Sequence, residues 1–118
     1  MRVTKDLVAA SATPIVLGIL AEGESYGYAI LRRINDLSGG ELDWTEGFLY
    51  PLLHRLERLG HVEAYWHVAP GERRRKYYRI TKQGLAELAE QRRQWQTVVD
   101  TLQQVWMRPL LTPMEGTA

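Results

Sequence analysis

The chain has 118 residues, enough for one domain with a real core plus one long element, and its 45 % hydrophobic and 25 % charged content is the balance of a soluble globular protein. It contains no Cys, which excludes disulfides and Cys-based zinc sites and is compatible with a reducing cytoplasm. The net charge of +1 is unevenly spread: residues 1–44 carry −2, residues 45–82 carry +4 and residues 83–118 carry −1, so the cationic segment is the middle one, as a polyanion-binding surface requires.

Residues 1–12 mix charges with small apolar residues and suit a short helix. Thr13-Pro14 has the pattern of an N-cap followed by proline at the first helical position. It would open a short buried helix over IVLGILAEG, and residues 4–12 either continue that helix through a kink or stand apart. The longest apolar run, Ile15 to Ala21, is too short to span a bilayer, and no export signal is expected.

Ser25 is placed to cap a second helix, in which Tyr26, Ile30, Ile34 and Leu37 share a face and Gly39-Gly40 ends the run. The connector ELDW allows a scrap of strand at Leu42 and Trp44. Thr45 then caps a third helix closed by Gly60, with Leu49, Leu52, Leu53, Leu56 and Leu59 as its apolar stripe. Its other face carries Gly47, Tyr50, Pro51, His54, Arg55 and Arg58. Pro51 crowds the Gly47 carbonyl, so a kinked or irregular first turn is expected. A helix buried on one side, with phenol, imidazole and guanidinium groups on the other, suits a DNA major groove; it also suits an ordinary solvated surface.

After Gly60 the period changes to two. Val62, Ala64, Trp66 and Val68 alternate with Glu63, Tyr65 and His67, Pro70-Gly71 marks a turn, and Tyr77 to Ile80 form a return strand. Arg73, Arg74, Arg75 and Lys76 are expected on an exposed loop, which beside a helix-turn-helix reads as a wing that grips phosphates. Thr81 starts the last and most regular element. Leu85, Leu88, Arg92, Trp95, Val99, Leu102 and Trp106 follow alternating steps of three and four, a heptad seam interrupted only at Arg92. From Lys82 to Met107 this helix would be about 39 Å long. The small preceding domain cannot cover its whole length: the N-terminal half of the seam also suits packing against the first helix, and a second copy is expected to cover the second half. Arg92 would pair with Glu87, Glu90 or an acid across the dimer, and Pro109 would stop the helix.

The expected division is a winged helix-turn-helix at 1–81, a dimerisation helix at 82–108 and a loose tail at 109–118. The fold class is mainly α with a small β-hairpin. The segments SYGYAI at 25–30, LYPLLHRLERLG at 49–60 and RRKYYRIT with Gly84 at 74–84 together closely resemble the PadR family of bacterial transcriptional regulators. The resemblance runs from about Ala12 to Trp106. It accounts for Pro51, since that family resembles this chain in carrying proline within the groove helix. It points to the smaller subgroup with a single C-terminal dimerisation helix, and it implies a cytoplasmic repressor released by a phenolic or planar hydrophobic effector.

The candidate DNA contacts are Tyr26, Thr45, Gly47, Tyr50, His54, Arg55, Arg58, Arg73, Arg74, Arg75 and Lys76. Arg58, near the helix end, is expected to touch backbone or only to complete the negative C-terminal dipole. Tyr28 is expected to pack rather than bind. The dimer seam is the set from Leu85 to Trp106 named above. Copies of Trp95, Val99 and Trp106 across a two-fold axis make a candidate slot for a small aromatic effector, although aromatics at this spacing also serve as plain interface core. The three histidines, His54, His61 and His67, share no metal-ligand spacing, and no nucleophile elbow, carboxylate pair or phosphate-binding glycine loop is present. No catalysis, metal, cofactor or membrane association is expected. The partner is duplex DNA with dyad symmetry. The rival readings are a winged-helix protein-interaction module and a small-molecule carrier.

Overall fold

A computed structural model describes residues 3–111. The elements are α1 (Lys5–Glu22), β1 (Ser25–Tyr26), α2 (Gly27–Leu37), α3 (Glu46–Arg58), β2 (Val62–Val68), β3 (Arg74–Ile80) and α4 (Lys82–Leu111). The described residues fall into two compact units divided after Leu88.

In the first unit, α1 supplies Ala12, Val16, Leu17, Ile19 and Leu20 to the core, α2 supplies Ile30 and Ile34, and α3 supplies Leu49, Leu52, Leu53 and Leu56. Val62, Tyr78 and Leu88 complete it. The start of α1 differs from expectation. Thr13 is no cap: the helix begins at Lys5, with extended backbone at Thr4, and Pro14 lies inside it. Proline cannot donate to the Ala10 carbonyl, a loss of about 3 kcal/mol in a helix interior. The buried residues that follow Pro14 offset this, at about 1.5–3 kcal/mol for each large side chain.

Ser25 is likewise no cap. Ser25 and Tyr26 are extended and pair with Tyr78 and Tyr77 of β3, so α2 begins only at Gly27. The sheet is therefore three-stranded and antiparallel, in the order β1-β3-β2, and not a simple hairpin. The connector after α2 forms no strand. Gly39 and Gly40 have φ of 62° and 89°, and the Ser38 hydroxyl accepts from the Leu42 amide at 2.9 Å. Leu42 and Trp44 pack against the core instead.

The α3 boundaries hold. The Thr45 hydroxyl accepts from the Phe48 amide at 3.2 Å. The Thr45 carbonyl accepts from both Phe48 (3.1 Å) and Leu49 (3.0 Å), so the first turn mixes two hydrogen-bond spacings ahead of Pro51. At the other end Gly60 has φ 81°, with His61 donating to the Leu56 carbonyl and Gly60 to the Glu57 carbonyl. That is a Schellman closure, in which glycine takes the left-handed position. Leu59 falls in this closure and is 56 % exposed, so it leaves the expected stripe.

Thr81 ties the end of α3 to the start of α4. Its hydroxyl donates to the Gly60 carbonyl at 2.6 Å and accepts from the Gly84 amide at 3.0 Å. Beyond Leu88, in the second unit, Trp95 is half-buried while Val99, Leu102 and Trp106 are exposed. Glu90, an expected partner of Arg92, is held by Arg93 and Gln94 (each 2.8 Å). Pro109 does not stop α4, which runs to Leu111. One missing amide bond within the last turn leaves few further bonds to lose. From Thr112 onward the expected tail lies outside the described residues.

Candidate nucleic-acid interface

The wing decides the shape of this surface. Ala69 accepts from the Glu72 amide at 3.0 Å and Gly71 has φ 77°, a tight turn with Pro70 ahead of the left-handed glycine. The turn is shorter than the arginine run. Arg74, Arg75 and Lys76 belong to β3, where they pair with Val68, His67 and Trp66 of β2, and only Arg73 precedes the strand. The expectation of four cations on a loop is thereby corrected. The cause is register: pairing continues to the turn even though β2 has outrun the core, leaving Trp66 and Val68 exposed where alternation alone would bury them.

Strand pairing then sorts the cations. Arg74 and Lys76 alternate with Arg75, so they point to opposite faces of the sheet. Each lies over an aromatic ring. The Arg74 guanidinium is 4.4 Å from the Trp66 ring centre, Arg75 is 4.4 Å from that of Tyr26, and the Lys76 ammonium is 5.6 Å from that of Tyr78.

The wing, the start of α2 and one edge of α3 enclose a cleft of about 530 Å³. Tyr26, Tyr50, His54, Arg73, Arg74, Arg75 and Lys76 line it, so seven of the eleven expected contacts come together. Among the described residues that line the cleft, Glu46 is the only carboxylate. Tyr50 is half-buried, and a Cβ built on Gly27 would meet its hydroxyl end, so any larger residue there would have to push the Tyr50 ring aside. Burial, then the Glu46 charge, raises the Tyr50 pKa. Tyr78, which also lines the cleft, is fully buried, and burial, with Glu57 and Tyr50 nearby, pushes its phenol up to about 12.

The remaining four candidates lie elsewhere on α3. Gly47 and Arg55 line a shallow depression against α1, where Arg55 donates to the Thr13 hydroxyl at 3.4 Å. Thr45 is occupied as the cap, and Arg58 is exposed in the last turn. Tyr28 was expected to pack; it is instead 58 % exposed, lines the cleft and lies under the Arg32 guanidinium. Trp66 and Gly27 are cleft residues that the pattern of residues did not single out. Trp66 was assigned to a buried face, and the need for Gly27 exists only once Tyr50 is seated against it. Among the described residues no group of three or more His, Asp or Glu could hold a metal, and no helix is long and apolar enough to cross a membrane.

Three solved structures share this architecture. A transcriptional regulator from Clostridium thermocellum is 28 % identical, with a TM-score of 0.78 over 86 % of this chain and 96 % of its own. A PadR-like transcriptional regulator from Bacillus cereus is 27 % identical, with a TM-score of 0.77 over 86 % and 97 %. A PadR family transcriptional regulator from Eggerthella lenta is 32 % identical, with a TM-score of 0.74 over 87 % and 88 %. Residues 16–90, which include α2, α3 and the β2–β3 wing, match the transcriptional regulator PadR-like family. With its winged helix-turn-helix, three-stranded sheet and long last helix, this chain belongs to the PadR-like family of transcriptional regulators.

Proposed function

We infer that the protein is a homodimeric, sequence-specific DNA-binding repressor of the cytoplasm. The observation that carries the reading is the cleft, which the four wing cations and the Tyr50–His54 edge of α3 border together. Cations supply phosphate affinity without sequence information, whereas an exposed imidazole on a groove helix can address base edges. His54 therefore takes the specifying role, with Tyr50 beside it. Tyr26 and the wing cations take the backbone, and Thr45, Gly47, Arg55 and Arg58 flank the groove helix.

The second copy follows from α4. Val98, Val99, Leu102, Val105, Trp106 and Met107 are 37–62 % exposed on one helix, an apolar surface that costs free energy in water until a partner covers it. A dimer built on the seam would present two groove helices roughly 34 Å apart, one turn of an operator with dyad symmetry. Release by a small phenolic or hydrophobic effector, with Trp95, Val99 and Trp106 as its lining, completes the proposal.

A titration of labelled duplex at two salt concentrations tests it. A steep fall of affinity with salt is expected. Binding that ignores salt, or no binding, would favour a winged helix that docks a protein instead. Changes at Tyr50 or His54 are expected to alter preference among sequences; a uniform loss would reassign them to the backbone.

A further inference from the structure

On the side of the sheet away from Tyr78, Tyr77 occupies the centre of an aromatic row. It pairs across the strands with Tyr26 of β1 and with Tyr65 of β2. Its ring meets Tyr26 edge-on at 5.2 Å, Tyr65 in a stack at 5.8 Å and His67 edge-on at 5.5 Å. Aromatic rows on sheets can serve as stacking platforms for unpaired bases. Here two of the ring faces already carry guanidinium groups, Arg75 on Tyr26 and Arg79 on Tyr65 at 4.7 Å, and Arg79 is also bound to Glu63 at 2.7 Å. Tyr65 donates to the Glu24 carboxylate. The row is thus filled from both sides, and its free consequence is orientation.

β1 has only two residues, so backbone pairing holds it weakly. The ring of Tyr26, fixed by Tyr77, is the surface on which the Arg75 guanidinium rests. The geometry points to Tyr77 as a positioning residue that fixes Arg75 for duplex DNA by clamping Tyr26 between the wing and α2. Tyr77 touches no nucleic acid itself. This inference rests on the DNA-binding reading of the cleft.

The test compares wild type, Tyr77→Phe, Tyr77→Ile, Arg75→Gln and the double variant Tyr77→Ile with Arg75→Gln. Each is titrated with a mixed-sequence labelled duplex across a salt series, with thermal melting in parallel. Phenylalanine keeps the ring contacts and is expected to bind as wild type does. Tyr77→Ile, a good strand former, is expected to lose about tenfold in affinity, the worth of one charge-assisted contact, and to lower the salt slope by about one. The double variant is expected to bind no more weakly than Arg75→Gln alone. Should Tyr77→Ile melt out of the folded range, Tyr77→Leu titrated at a lower temperature removes the same ring contacts and carries the same expectation. Unchanged affinity in Tyr77→Ile beside a weakened Arg75→Gln overturns the inference. So does a loss that persists in full when Arg75 is already gone. Wild-type protein that binds no duplex removes the reading of the cleft, and the positioning role with it.

Discussion

Two residues show how close contact sets what this chain tolerates. Gly84 opens α4 against the end of the α3 closure, and a Cβ there would lie 2.0 Å from the His61 carbonyl oxygen and 2.7 Å from Ile80 Cγ1. Backbone cannot move aside as a flexible side chain can. Gly84→Ala is expected to destabilise the protein by about 2 kcal/mol or more, the upper part of the range for overpacking, seen as a lowered melting temperature. Tyr78 makes a second case. Its phenol is fully buried and its pKa is raised from 10.0 to about 12. The unfolded chain therefore loses this proton first as pH rises, and the stability present below pH 10 is lost between about 10 and 12. Melting curves through that window are expected to fall in wild type and to fall less in Tyr78→Phe.

At the scale of the element, the wing is a strand pair whose cations are divided by the pleat. Arg74 faces Trp66 on one side and Arg75 faces Tyr26 on the other. Their joint replacement, Arg74→Ala with Arg75→Ala, is expected to weaken binding to every duplex alike and to reduce the salt slope by about two, since each phosphate contact contributes about 0.9. Unaltered affinity would remove the wing from the account. The long helix shows a local electrostatic effect of its own. Glu90 accepts from Arg93 and from Gln94, which hold its carboxyl at about 2, below the ordinary 4.5. The support these bonds lend to α4 is present above pH 4.5 and is lost as pH falls towards about 2.

For the whole molecule the decisive surface is the exposed seam of the last helix. Placing a carboxylate in it through Val99→Glu leaves the first unit, with its own core ending at Leu88, untouched. The variant is expected to sediment as a monomer and to retain a folded winged helix by circular dichroism. It is also expected to lose most of its operator affinity, because two linked half-sites bind far more tightly than one. A wild-type mass in the ultracentrifuge would refute the seam.

The elements that one turn or one period encodes were legible from residues alone. Thr45 and Gly60 bound α3 because capping and left-handed closure are satisfied within a few residues, and Leu49, Leu52, Leu53 and Leu56 face inward because their spacing matches the helix. The alternation of β2 and the turn at Pro70-Gly71 followed from the same reasoning. What the chain concealed depends on partners distant in sequence. Ser25 and Tyr26 form a strand only because Tyr77 and Tyr78 arrive beside them, so a plausible cap becomes an edge of the sheet. Arg74, Arg75 and Lys76 become strand residues because register is set by both strands together. Proline 14 is carried inside a helix because burial on α1 outweighs one lost hydrogen bond. Tertiary packing wins in each instance because burying several large side chains is worth more than any single local signal.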